Sequence, residues 1–371
     1  MKLLINPLAT RGEYSGEEAR VTTRAAASEA HREIRQWPGY EVTPVRALSD
    51  VASELGVAEV WLKDESQRLG QGSFKSLGGA YAAALKLREI SPAGRATLAC
   101  ATDGNHGRSV AFAANRLGCD AVIYMHENAL EYKADAIRAL GARVVRTPGV
   151  YDDSVRKVKA DAEREGWLLI SDISDPNDQT VMRVMRGYGV MVLELLEQFA
   201  GNPFPTHVFL QGGVGGLAAG VAGVLSEVMG EQRPTFIVVE PENASCLMES
   251  ALRFEPSSVG GDLHTEMHML AAGEASSAAW PVLQRRVDAF MAIDDEPAVR
   301  TAARLNAPCG AGLDIGVTGA GSLAGVFELL ARPDLAALVG LDRNARILAF
   351  GTEAGPPRPE PARARSTSAL A

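Results

Sequence analysis

The 371-residue chain predicts an α/β protein built on two parallel sheets flanked by helices. Short apolar runs alternate with amphipathic stretches over most of its length, and the amphipathic stretches stop at glycines. The chain is also longer than one compact core usually holds, so two domains, or one large domain with an insertion, are expected.

The opening Met1-Lys2-Leu3-Leu4-Ile5-Asn6-Pro7 is too short an apolar stretch for a signal peptide. A helical pattern of small and apolar residues begins at Lys75, within Gln71-Gly72-Ser73-Phe74-Lys75-Ser76-Leu77-Gly78-Gly79-Ala80-Tyr81. The runs 97–101, 121–125, 143–146 and 167–171 then read as strands. Between them 108–117, 130–140 and 155–165 read as helices, closed by Gly118, Gly141 and Gly166, which accept the left-handed conformation that ends a helix. That spacing gives βαβ units and a parallel sheet. A second series follows, with strands at 208–211, 236–240, 289–293 and 347–351 and helices near 217–229 and 321–330. The uncharged run 198–226 is interrupted by Pro203, Pro205, Gln211 and several glycines, so it predicts a buried strand and a helix rather than a membrane span. The stretch 250–273 shows no period and reads as a long loop with short helical turns, and the Pro-, Ala-, Ser- and Arg-rich tail 355–371 is expected to be disordered.

Forty-six acidic against 37 basic residues leave a net charge of −9, with no basic cluster, which excludes nucleic acid or an anionic membrane as the main partner. Cys100, Cys119, Cys246 and Cys309 are scattered and form no metal-ligand or redox spacing, as expected of buried thiols in a cytoplasmic protein. His264 and His268 stand at helical i, i+4 spacing without the glutamate of the zinc-protease pattern, so no metal site is expected.

Three segments carry chemistry. A lysine among small residues, as Lys75 is, is a candidate for burial, which favours the neutral, nucleophilic amine and an imine with a carbonyl cofactor, usually pyridoxal phosphate; the plainer reading is a lysine snorkelling from a half-buried helix. Thr102-Asp103-Gly104-Asn105-His106-Gly107 is a polar turn between a strand and a helix, able to bind an anion with its amides or simply to cap the helix. In Gln211-Gly212-Gly213-Val214-Gly215-Gly216-Leu217-Ala218 the glycines let backbone approach a phosphate at a helix start. This last segment also satisfies a dinucleotide fingerprint through Gly213, Gly215 and Ala218, with Glu240 where a ribose-binding acid would stand, so a nicotinamide dehydrogenase is a rival reading.

Together these segments, with Ala279-Trp280-Pro281-Val282-Leu283, resemble the fold-type II family of pyridoxal phosphate enzymes, the tryptophan synthase β-like fold, and within it the diaminopropionate ammonia-lyases. The likeness runs over about 39–353. It implies that Lys75 holds pyridoxal 5′-phosphate covalently and handles protons once substrate displaces it. It further implies that Asn105 contacts the pyridine 3′ oxygen, that Gly212, Gly213, Val214, Gly215 and Gly216 cradle the phosphate, and that the Thr352 hydroxyl faces the pyridine nitrogen. By the same resemblance Asp103 and Asp172 remove the α-proton from opposite enantiomers of an amino acid substrate, and the chain is a homodimer.

The expected architecture is a large cofactor-binding domain of 1–76 and 189–354, with a small α/β domain of 77–188 inserted, the two closing over the cofactor. The expected reaction is α,β-elimination of 2,3-diaminopropionate to pyruvate and ammonia. A serine, threonine or 3-hydroxyamino acid dehydratase and a non-catalytic cofactor-binding protein are the alternatives. The run Ser174-Asp175-Pro176-Asn177-Asp178 lacks the family's tryptophan and tyrosine, and Ala320 stands where a glutamate is expected, which bears on the substrate rather than on the cofactor.

Overall fold

The computed structural model describes residues 1–90, 96–102, 104–149, 151–171, 179–308 and 311–357; Asp103, Asp172 and Cys309 lie outside these, as does the tail from 358. Its strands are β1 (Lys2–Ile5), β2 (Val45–Ala47), β3 (Glu59–Asp64), β4 (Thr97–Ala101), β5 (Asp120–His126), β6 (Arg143–Thr147), β7 (Leu168–Leu169), β8 (His207–Gln211), β9 (Thr235–Pro241), β10 (Ala289–Ile293) and β11 (Arg346–Gly351). They form a seven-stranded sheet ordered β1-β10-β9-β8-β11-β3-β2 and a four-stranded sheet ordered β6-β5-β4-β7. The small sheet is parallel throughout, and in the large one only the edge strands β1 and β2 run antiparallel.

Parallel strands covered on both faces by helices should be apolar on both. In β8 every residue is buried, with Val208 and Leu210 joining the core on one face and Phe209 the core on the other. β4 does the same on a smaller scale, sending Leu98 and Cys100 one way and Ala99 and Ala101 the other. The expected fourth strand of the small sheet, 167–171, is reduced to Leu168–Leu169, pairing only with Leu98 and Ala99.

The helices Lys75–Glu89 and Gln179–Gln198 cross almost backbone to backbone. A Cβ on Gly187 would lie 2.3 Å from the Leu77 carbonyl oxygen, and one on Gly78 would lie 2.6 Å from that of Val184. Only glycine at both positions permits this approach, which fixes where the first helix starts and so where Lys75 stands.

A second anchor is a fully buried cluster of charges between the carboxyl end of β3 and the helix Gln179–Gln198. Arg68 donates to Glu65 through Nε (2.8 Å) and to Glu194 through Nη1 and Nη2 (2.7 Å each). Lys63 donates to Glu194 (2.7 Å), to the Thr43 carbonyl (2.8 Å) and to Gln198 (3.0 Å). All four charged side chains are 0% exposed. Ions so buried persist only when paired and hydrogen-bonded, and here the signs balance.

Candidate active site

The carboxyl ends of β4, β8 and β11 open onto one cavity of about 400 Å³, the edge at which open α/β sheets receive ligands. Lys75, the first residue of its helix, is half-buried and lines this cavity, with Nζ 5.8 Å from the centre of the Phe74 ring. The turn before it is stitched to the end of β11: Ser73 and Glu353 form an antiparallel bridge, Phe74 N donates to Thr352 O (3.2 Å) and Ala354 N to Gly72 O (2.9 Å). Thr352, 2% exposed, lines the cavity beside Glu353.

From β4 the chain passes through Thr102, whose hydroxyl accepts from Gly104 N (2.9 Å) and Gly107 N (3.1 Å), into the helix Asn105–Leu117. Asn105 is held on both sides. Its Oδ1 accepts from Lys133 Nζ (2.8 Å), its Nδ2 donates to Glu353 Oε2, and Lys133 and Glu353 are themselves paired at 2.9 Å. His106 Nε2 lies 2.8 Å from the Ile170 carbonyl, tying this turn to the chain just beyond β7.

From β8 the glycine segment enters the helix Gly216–Met229, with Gly215 at φ +100. Among the described residues the amides of Val214, Gly215, Gly216, Leu217 and Ala218 have no protein acceptor, which leaves a ring of donors at a helix N-terminus. Gln211 braces the segment from behind, donating to the carbonyls of Gly319 (2.9 Å) and Phe350 (2.7 Å).

The structure therefore brings Lys75, Asn105, Gly213, Val214, Gly215, Gly216 and Thr352 onto one cavity. Gly212 is not a wall of it. A Cβ there would meet Glu240 Cγ and Val238 Cγ1 at 2.6 Å, so this glycine lets the segment lie against β9. Glu240 is likewise no ribose ligand. It is 0% exposed, and its oxygens accept from Leu247 N and Met248 N (2.8 Å each), with burial pushing its pKa up to about 8 against those two donors. The candidate bases Asp103 and Asp172 fall outside the described residues; their neighbours Thr102 and Ser171 follow β4 and β7, which are adjacent and parallel. His264 and His268 have ring centres 6.3 Å apart, and the described residues hold no cluster of three or more potential metal ligands. No helix among the described residues is long and apolar enough to cross a membrane.

Several cavity residues carry no motif. Glu353, Tyr188 against Phe74 with ring centres 4.7 Å apart, and the segment Met269 to Glu274 line the cavity, and Lys133 stands behind Asn105; all come from chain far from the three glycine-marked turns. The adjacency of Glu353 to Thr352 is the one sequence signal that could have pointed to any of them.

A cavity at the ends of parallel strands, lined by a lysine, an asparagine turn and a glycine segment, fits a pyridoxal phosphate enzyme of fold-type II. The profile of the pyridoxal-phosphate dependent enzymes matches residues 36–340, and the chain belongs to that family. More particularly, it is 35% identical over 362 residues to the diaminopropionate ammonia-lyase of Escherichia coli strain K12, covering 92% of this chain and 91% of that one. The Salmonella typhimurium strain LT2 diaminopropionate ammonia-lyase is 36% identical over 350 residues, 86% of each chain. The crystal structure of the Escherichia coli enzyme in complex with an aminoacrylate-PLP azomethine reaction intermediate superposes with a TM-score of 0.87 at 33% identity, covering 95% of this chain and 93% of that one.

The cofactor is accordingly pyridoxal 5′-phosphate, and the cavity suits it. The partnerless amides of the glycine segment match a phosphate dianion, and Gly213 has no heavy atom closer than 3.6 Å to where a Cβ would stand.

Proposed function

We propose that this enzyme is a lyase that removes the β-amino group of 2,3-diaminopropionate, so that diaminopropionate and water give pyruvate and two ammonia molecules. The observation that supports it is the convergence of Lys75, Asn105, the glycine segment and Thr352 on one cavity, in a chain similar to diaminopropionate ammonia-lyases over 92% of its length.

When bound, the cofactor supplies an electron-withdrawing ring conjugated to the substrate nitrogen, which makes the α-proton acidic. The residues of the chain do the rest. Lys75 would hold the cofactor through Nζ and, once the substrate has taken its place, would be an amine in the cavity able to carry a proton. The amides of Val214 to Ala218 would hold the phosphate, and Asn105 would donate from Nδ2 to the 3′ oxygen. Thr352 would offer the pyridine nitrogen a neutral hydroxyl in place of an acid, which would suit elimination. Asp103 and Asp172 are assigned as the bases, one toward each enantiomer, because a planar carbon can lose or gain a proton at either face. The units carrying the two sheets, 77–188 and the remainder up to 354, close on each other to exclude water, and two chains pair as a homodimer.

The test is turnover. The purified protein is incubated with D- and with L-2,3-diaminopropionate and pyruvate is followed by a coupled assay. Pyruvate from at least one isomer is expected; silence with both, alongside turnover of serine or threonine, replaces the ammonia-lyase with a dehydratase.

A further inference from the structure

Asn105, Lys133 and Glu353 are 7%, 8% and 6% exposed and meet from three different parts of the fold. Asn105 opens the helix after β4, Lys133 belongs to the helix Glu131–Arg138 after β5, and Glu353 follows β11 of the larger sheet. The contact between them spans 220 residues of sequence. Lys133 reaches it because residue 104 is glycine: a Cβ there would stand 2.9, 3.0 and 3.1 Å from Cδ, Cγ and Cβ of Lys133, so the lysine stem runs through the space that a side chain would fill.

The chemistry of the pair decides which way the asparagine amide faces. An ammonium only donates and an ionised carboxylate only accepts, so Oδ1 must lie toward Lys133 and Nδ2 toward Glu353. The flipped amide would set NH₂ against an ammonium and oxygen against a carboxylate, and burial makes both errors costly. One Nδ2 proton is spent on Glu353, and the second is left for the cavity that Asn105 lines.

We propose that Lys133 and Glu353 are a positioning pair. They lock the amide of Asn105 with its remaining Nδ2 proton toward the cofactor, and they fasten the helices of the small sheet to the end of β11. Neither touches the reacting atoms; both act through Asn105. The inference rests on the assignment of Asn105 as a cofactor contact.

The experiment is a double-mutant cycle read on the cofactor rather than on turnover. The dissociation constant for pyridoxal 5′-phosphate, by equilibrium dialysis, and the visible absorption maximum are measured for the wild type, Asn105→Ala, Lys133→Met and the double variant. Each single change is expected to weaken retention on the order of tenfold and to move the maximum in the same direction. In the Asn105→Ala background, Lys133→Met is expected to change neither by more than about twofold. Should Lys133→Met fail to fold, because it strands a buried carboxylate, the neutral pair Lys133→Met/Glu353→Gln takes its place in the same cycle, with the same expectation. Full additivity, or a Lys133 variant that retains cofactor like the wild type while Asn105→Ala does not, overturns the positioning role and leaves the Asn105 assignment standing. Wild-type affinity and absorption in Asn105→Ala overturn that assignment, and the pair's role with it.

Discussion

Just past the carboxyl end of β3 Lys63, Glu65, Arg68 and Glu194 close on one another out of contact with solvent, whereas beside the cavity Lys133 and Glu353 are a lone pair that meets it through Asn105 and Glu353. In the closed cluster, hydrogen-bond capacity is nearly exhausted within the protein: Glu194 accepts from Arg68, Lys63 and Tyr40, and Glu65 from Arg68 and Thr43. At the wall, one proton of Asn105 and the amides of the glycine segment are left over. Buried polar groups are normally satisfied, so a cluster that closes on itself speaks of structure, and one that leaves donors aimed at a cavity speaks of a ligand.

The strongest way to break that contrast is Arg68→Met. It strips two buried carboxylates of their shared partner and is expected to cost about 3–5 kcal/mol, measured by urea unfolding. A loss below about 1 kcal/mol would mean that this cluster is not the closed unit its geometry describes. Gly187→Ala comes next. The new methyl would press on the Leu77 carbonyl at 2.3 Å, a backbone atom that cannot turn aside, and about 1–3 kcal/mol is expected together with a fall in kcat as the Lys75 helix shifts.

A smaller effect sets two buried acids against each other. Desolvation alone would raise the Glu194 carboxyl, but the hydrogen bonds and charge of Arg68, with those of Lys63, outweigh it and hold it below its ordinary 4.5. Its contribution to stability is present above that range and is lost as pH falls through the depressed value. Glu240 has no cation, and burial raises it from 4.5 to about 8. Its folded form keeps a proton that the unfolded chain releases, so between about 4.5 and 8 stability falls as pH rises. Glu240→Gln removes that slope, and the difference in Tm, variant minus wild type, should grow from pH 5 to pH 8; a difference constant with pH contradicts it. The smallest effect belongs to an exposed pair. Arg304 and Glu54 lie 2.6 Å apart with side chains 38% and 54% exposed, and Arg304→Ala should leave the unfolding midpoint unchanged.

The sheet alternation and the three turns were legible because each is written locally: strand, glycine and helix follow within a dozen residues. Lys75, Asn105, Gly213 to Gly216 and Thr352, which line the cavity, stand in or beside such local patterns, and Gly212 stands in the same segment but packs against β9. The anchors were not legible. Lys63 breaks the apolar pattern of β3 and is 0% exposed only because Glu194, 131 residues away, arrives to meet it. Lys133, in Glu131-Tyr132-Lys133-Ala134-Asp135, looks like any solvated helical lysine until Glu353 is placed. Pairings between distant segments leave no period or spacing to find. Strands β1 to β3 were missed too, since β2 is three residues long and β3 carries charge at both ends.

The position of β11 has a consequence for how the protein is made. Made after both of its neighbours, it fills the gap between β8 and β3, and the residues at its end hold the turn of Lys75. Until it emerges, the antiparallel pair of β2 and β3 has no parallel neighbour, and two strand edges stand open to other nascent chains. The turn that carries Lys75 is therefore completed only once a segment far downstream in the chain has been made.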